Sequence, residues 1–129
     1  MSDTKIWPSF RYSDAHTAIR FLIDAFGFER VAVYETDGRV DHAELRWPEG
    51  GGVMLGSASR SDSSIAGLPA GTGSAYVVTD DPATLFKRAV AAGATVVMAP
   101  QQESYGLGFT VRDPEGVFWS FGTYAGADS

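Results

Sequence analysis

Apolar residues recur along the chain in two rhythms, and the order of those rhythms repeats once. From Ala15 the positions Ala18, Ile19, Leu22, Ile23 and Phe26 follow a period of about 3.6, which predicts a helix. Ser13 and Asp14 are suited to cap its start, and Gly27 stands where a left-handed residue ends it. Ahead of it, Ile6 to Tyr12 mixes aromatic and branched residues as a strand does. Strands are predicted after it at Phe28 to Glu35, Val40 to Trp47 and Val53 to Gly56, with turns at Asp37-Gly38 and Pro48 to Gly52.

The same order starts again beyond a loop. Residues 57–72 are rich in Ser, Gly, Ala and Asp, with Ile65 and Leu68 as the sizeable apolar anchors, and read as a linker. Gly73 to Thr79 predicts a strand. Asp80 and Asp81 precede Pro82 at a helix start, and Leu85, Phe86, Ala89 and Val90 form a stripe ending at Gly93. Strands follow at Thr95 to Ala99, Leu107 to Arg112 and Val117 to Thr123, the last two joined by the turn Asp113-Pro114-Glu115-Gly116. The halves align at a shift of 66 residues, Asp14 over Asp80 and Gly27 over Gly93. One α+β domain over residues 1–129 is predicted, with βαβββ modules at about 5–56 and 73–124. Two such modules form a cupped mixed sheet around a cleft, with a helix packed behind each.

Composition narrows the function classes. Hydrophobic residues make up 44% and charged residues 20%, as in soluble globular proteins. The lack of cysteine removes disulfides and thiolate chemistry, and suits a reducing cytoplasm. A net charge of -6 repels a phosphate backbone, so nucleic acid is excluded as a partner. No run reaches the roughly 18 apolar residues that span a bilayer, and Met1 to Tyr12 lacks the pattern of a secretion signal, so neither membrane insertion nor export is expected.

Asp14, Ala18-Ile19-x-Phe21 and Ala25-Phe26-Gly27-Phe28-Glu29 resemble the opening of glyoxalase and bleomycin-resistance proteins of the vicinal oxygen chelate superfamily. The second half adds Ala91-Ala92-Gly93-Ala94, Tyr105-Gly106, Asp113-Pro114-Glu115-Gly116 and Trp119-Ser120-Phe121-Gly122, so the resemblance runs from about Ile6 to Tyr124. It implies one of two classes. Glyoxalase I, ring-cleaving dioxygenases and fosfomycin-modifying enzymes use a divalent metal, whereas bleomycin-binding proteins sequester a drug without chemistry.

In the metal-using members the ligands are His, Glu or Gln. The resemblance sets those positions near Trp7, at Val53 to Leu55, near Ser74 and at Ser120. None of these side chains is a ligand for a hard divalent cation, and Ile6 to Tyr12 contains no His, Asp or Glu. No metal and no cofactor are therefore expected.

By strand parity Trp7, Ser9, Ser74, Tyr76, Phe118, Ser120 and Tyr124 can face one way, and Tyr105-Gly106 matches an aromatic-glycine pair at the cleft mouth of bleomycin-binding relatives. Rings with a few hydroxyls suit a planar or amphipathic small molecule, although each ring taken singly also suits a core. Trp119 and Phe121, of opposite parity, are assigned to packing under the helix. His42 and Glu44 stand two apart on one strand face, separated by about 6.6 Å of rise, and read either as a polar pair on the sheet or as an acid/base pair or relocated metal ligands. His16 reads as a surface residue. The favoured function is a metal-independent binder, with a metal-dependent lyase, isomerase or dioxygenase as the alternative. The resemblance also implies a homodimer, with Pro8 in the region where relatives exchange the first strand.

Overall fold

The computed structural model describes residues 5–58 and 69–126, so Ile65 and Leu68 lie outside the described residues. The first module runs β1 (Ser9–Tyr12), α1 (Ala15–Phe21), a π-helical turn (Leu22–Phe26), β2 (Glu29–Thr36), β3 (Arg39–Arg46) and β4 (Gly52–Ser57). The second runs β5 (Ser74–Val78), α2 (Pro82–Ala91), β6 (Thr95–Glu103), β7 (Gly106–Arg112) and β8 (Phe118–Gly122). Each module forms its own four-stranded mixed sheet, ordered β1-β4-β3-β2 and β5-β8-β7-β6, and no closed barrel results. The β2–β3 hairpin turns at Asp37 and Gly38, both at positive φ, as a tight turn between twisted strands requires.

The modules are offset by 67 residues at one end and 66 at the other. Asp14 accepts from the Thr17 amide at 3.1 Å, and its structural counterpart is Asp81, which accepts from the Thr84 amide at 3.2 Å. The sequence alignment of Asp14 with Asp80 is thus one residue short. Likewise Ser9 pairs with Met54, and Tyr76 with Ser120. After the helices the offset is 66, since Arg46 pairs with Gly52 where Arg112 pairs with Phe118. The first helix holds one residue more than the second, and the π-helical turn, one residue wider than an α turn, takes it up. Arg88 of α2 seals this turn by donating to the Asp24 and Ile23 carbonyls at 2.9 and 3.2 Å.

Trp119, fully buried, sits at the centre of the core with the rings of Phe10, Phe26 and Phe28 at 5.4 to 5.6 Å. Phe121 packs on Phe26 and Phe109, so both residues assigned to the helix side are there. The modules interlock through the Asp113-Pro114-Glu115-Gly116 turn. Asp113, only 4% exposed, accepts from the Tyr12 hydroxyl, the Trp119 indole and the amides of Glu115, Gly116 and Val117. Glu115 reaches back across the modules to accept from the Ser13 and Asp14 amides at 2.6 and 2.7 Å, fixing the approach to α1. Two strands differ from expectation. β1 begins at Ser9 instead of Ile6, which is 85% exposed, and β6 continues past Ala99 to Glu103. β6 passes Pro100 because it is an edge strand whose outer amides need no partner in the ladder.

Candidate ligand-binding site

In each sheet alternate residues face the core and the remainder form an open face. On the first sheet Val40, Ala43, Leu45, Val53 and Leu55 are buried, while His42, Glu44 and Met54 are partly exposed on the other side. His42 Nε2 lies 2.9 Å from Glu44 Oε2, and the Tyr34 ring lies nearly parallel to the imidazole at 6.2 Å. Ser9 pairs with Met54 on the neighbouring strand, and the Trp7 ring rests against Gly52.

On the second sheet Trp119, Phe121, Phe109 and Val111 face the core. The open side holds a concavity of about 200 Å³ lined by Tyr76, Tyr105, Tyr124, Ser120 and Thr110, with Met98, Gln101 and Glu103 of β6 at its rim. Its floor is flat because Gly106, Gly108 and Gly122 alternate along it. A Cβ on Gly122 would stand 2.8 Å from the Tyr76 hydroxyl, so the ring lies over that glycine. The hydroxyl donates to the Tyr124 carbonyl at 2.7 Å, and Tyr124 meets Tyr105 edge-on at 5.8 Å. Desolvation raises the Tyr76 phenol above its ordinary value, so it remains a neutral donor. The Thr110 and Ser120 hydroxyls pair at 2.8 Å in the middle of the floor.

Of the residues singled out by parity, Tyr76, Ser120 and Tyr124 come together around this concavity, joined by Tyr105, which the family resemblance singled out. Ser74 and Phe118 pair with each other on the same sheet but do not line it, and the Phe118 ring is covered by the Arg112 guanidinium at 5.0 Å. Ser9, His42 and Glu44 belong to the other sheet, and Trp7 precedes its first strand. His16 is a partly exposed helix residue whose Nε2 contacts the Gly38 carbonyl at 3.1 Å and Glu35 at 3.3 Å. Sequence reasoning missed Gln101, Glu103 and Thr110. Glycines two and sixteen residues after Gly106, at positions 108 and 122, share its parity across paired strands, and that pattern marks a ligand-facing floor. A second space, a groove of about 650 Å³ between the modules, is walled by Ile6, Pro8, Trp47 and Val77, and among the described residues Glu49 is its one ionisable side chain apart from Tyr76.

Metal-using members of the fold need several hard donors converging on one point. Here the paired positions offer Ser9 beside Met54 and Tyr76 beside Ser120, which are hydroxyls and a thioether. Among the described residues no group of three or more His, Cys, Asp or Glu side chains comes together. This donor set does not fit a divalent ion.

Two repeated βαβββ units, with parallel β1/β4 and β5/β8 pairs and helices packed behind, define the glyoxalase fold. The chain belongs to the Glyoxalase/Bleomycin resistance protein/Dioxygenase superfamily, whose model matches residues 7–121. It is 35% identical over 125 residues to Uncharacterized protein Mb0911c of Mycobacterium bovis, covering 89% of this chain and 80% of that protein. Among solved structures it is similar to TioX from Micromonospora sp. ML1, with 26% identity, a TM-score of 0.80 and coverage of 94% of this chain and 98% of that one. It shares the fold of TnmS3, an antibiotic binding protein from Streptomyces sp. CB03234, at 20% identity and a TM-score of 0.70, covering 95% of each chain. Among the described residues no helix is long and apolar enough to cross a membrane.

Proposed function

We propose that this chain is a cytoplasmic, metal-independent binding protein for a small aromatic or amphipathic molecule, held on the open face of the second sheet and sequestered without reaction. The observation that carries this reading is the convergence of Tyr76, Tyr105 and Tyr124 over a glycine floor with a central hydroxyl pair. Ring faces supply stacking area, and the hydroxyls orient a polar edge. That TnmS3 binds an antibiotic agrees with this reading and extends it to antibiotic sequestration. The concavity of about 200 Å³ is smaller than the roughly 300–1,000 Å³ that encloses a drug-sized ligand. A second copy of the chain would complete the enclosure, and a homodimer with two equivalent sites, the first strand exchanged or not, is part of the proposal. Its polar wall would come from Trp7, Ser9, His42 and Glu44, with Ser74 and Phe118 at the margin.

The test is a thermal-shift screen against aromatic natural products, followed by calorimetric titration of each hit. Binding raises the melting temperature by mass action, and Tyr105→Ala abolishes the shift. Hits that bind Tyr105→Ala unchanged would place the ligand elsewhere.

A second reading rests on the hydrogen bond between His42 and Glu44. Such a pair is the base, or part of the ligand set, of a lyase, isomerase or dioxygenase. Metal analysis of the purified protein separates the two readings: stoichiometric metal, lost in His42→Ala, supports the enzyme.

A further inference from the structure

We infer that the concavity on the second sheet selects an aromatic cation, a planar ring system bearing a quaternary or protonated nitrogen. This rests on the proposed binding function and names its ligand class. Among the described residues the lining contains three tyrosine rings and one carboxylate, Glu103, and no Lys, Arg or His. Glu103 pairs with Gly106 in the β6–β7 register, and Gln101 with Gly108, so both stand beside the glycine floor. Among the described residues the Glu103 carboxylate makes no hydrogen bond or ion pair. Tyr76 and Tyr105 are 51% and 66% exposed, leaving ring surface available.

The electrostatics favour one sign of charge. Aromatic faces are negative and attract a cation placed over them, and a carboxylate at the rim adds to the same potential. A net charge of -6 draws cations toward the chain and repels anions at long range. The same sheet already uses this contact internally, where Arg112 lies over Phe118. Gln101 and the Thr110–Ser120 pair accept or donate neutral hydrogen bonds, so the polar edge of the ligand is met without a protein cation.

Three probes of matched ring size test the inference at pH 7.5: N-methylquinolinium, neutral quinoline and anionic quinoline-2-carboxylate, each titrated calorimetrically into the full chain. The expected result is that the cation binds about tenfold more tightly than quinoline, the middle of the range for a partly desolvated cation–π site. Glu103→Gln reduces that preference to about threefold or less, read as the ratio of the two affinities within the variant. Raising the salt from about 0.05 to 0.5 M weakens the cation alone, which tests the charge effect even if Glu103→Gln does not fold. Equal or tighter binding of quinoline or the carboxylate overturns the inference and leaves the aromatic-binding function standing. Failure of all three probes to bind overturns both.

Discussion

The Tyr12 hydroxyl donates to Asp113 Oδ2 at 2.6 Å, joining the first strand of one module to the turn before the last strand of the other. The same oxygen accepts from the Trp119 indole at 3.0 Å, so the carboxylate holds the two largest fully buried side chains in place. Removing the hydroxyl leaves one buried charge short of a donor, whereas removing the carboxylate orphans a phenol, an indole and three amides. Tyr12→Phe is expected to cost about 1.5–3 kcal/mol, the value of a hydrogen bond to a charged group. Asp113→Ala should cost more, about 3–5 kcal/mol, because several buried donors lose their partner at once. Urea unfolding of both variants checks the order, and an Asp113→Ala cost below that of Tyr12→Phe removes Asp113 from its central place.

The same pair sets an alkaline limit. Desolvation first, then the charge of Asp113, raises the Tyr12 phenol far above its ordinary value of 10.0. The unfolded chain therefore releases this proton above pH 10 while the folded chain keeps it, so stability is fully present below pH 10 and falls as pH rises. The advantage of wild type over Tyr12→Phe should shrink by about 1 kcal/mol between pH 10 and pH 11, close to the full linkage slope. On the acid side, hydrogen bonds from Thr17 and Thr84 lower the Asp14 and Asp81 carboxyls below 3.8. Their contribution is present above that value and is lost as pH falls through the depressed one. Denaturant midpoints from pH 3 to pH 11 read both limbs, and a flat alkaline limb would refute the Tyr12 argument.

Much of this architecture was written in local signals. Gly27 and Gly93 stop the helices at φ of +90° and +103°, a conformation that favours glycine, and Asp14 caps because its side chain reaches the Thr17 amide. Period-two alternation put Tyr76 and Ser120 on one face correctly. It could not say that Ser9 lies on a different sheet or that Trp7 falls before the strand begins, because parity orders residues within a strand and is silent on which sheet a strand joins and where it starts. Glu103 was missed since Pro100 reads as a strand stop, and only its edge position lets β6 continue. The Asp80 alignment failed because one inserted residue inside a helix leaves the apolar stripe nearly intact.

That inserted residue yields its own prediction. Deleting Asp24 from the π-helical turn should restore a continuous α-helix of the length seen in the second module, at a cost of about 1–2 kcal/mol, ordinary for a single change. Deleting Lys87 from the regular α2 should unfold the protein, because every following residue rotates by about 100° and Arg88 leaves the turn it seals. Circular dichroism melts of the two deletions decide the matter, and equal damage would show that the π turn is not the site of the extra residue.

The glycine floor can be tested without touching a ring. Gly122 is not at positive φ, so Gly122→Ala is limited by space: the new methyl meets the Tyr76 hydroxyl, displacing it from the Tyr124 carbonyl, and stands 3.2 Å from the Leu107 carbonyl, which must give slightly. The hydroxyl is exposed enough to find water, so the loss of stability should stay near 1 kcal/mol. Ligand affinity should fall about tenfold or more, since the ring that closes one side of the concavity swings out while one hydrogen bond and its stacking area are lost. Tyr76→Phe supplies the complement: it removes the hydrogen bond, keeps the ring and, in the Gly122→Ala background, adds little further loss. Calorimetric titration of the three variants with one ligand reads this out, and undiminished affinity in Gly122→Ala would move the binding surface away from Tyr76, into the groove beside Trp47.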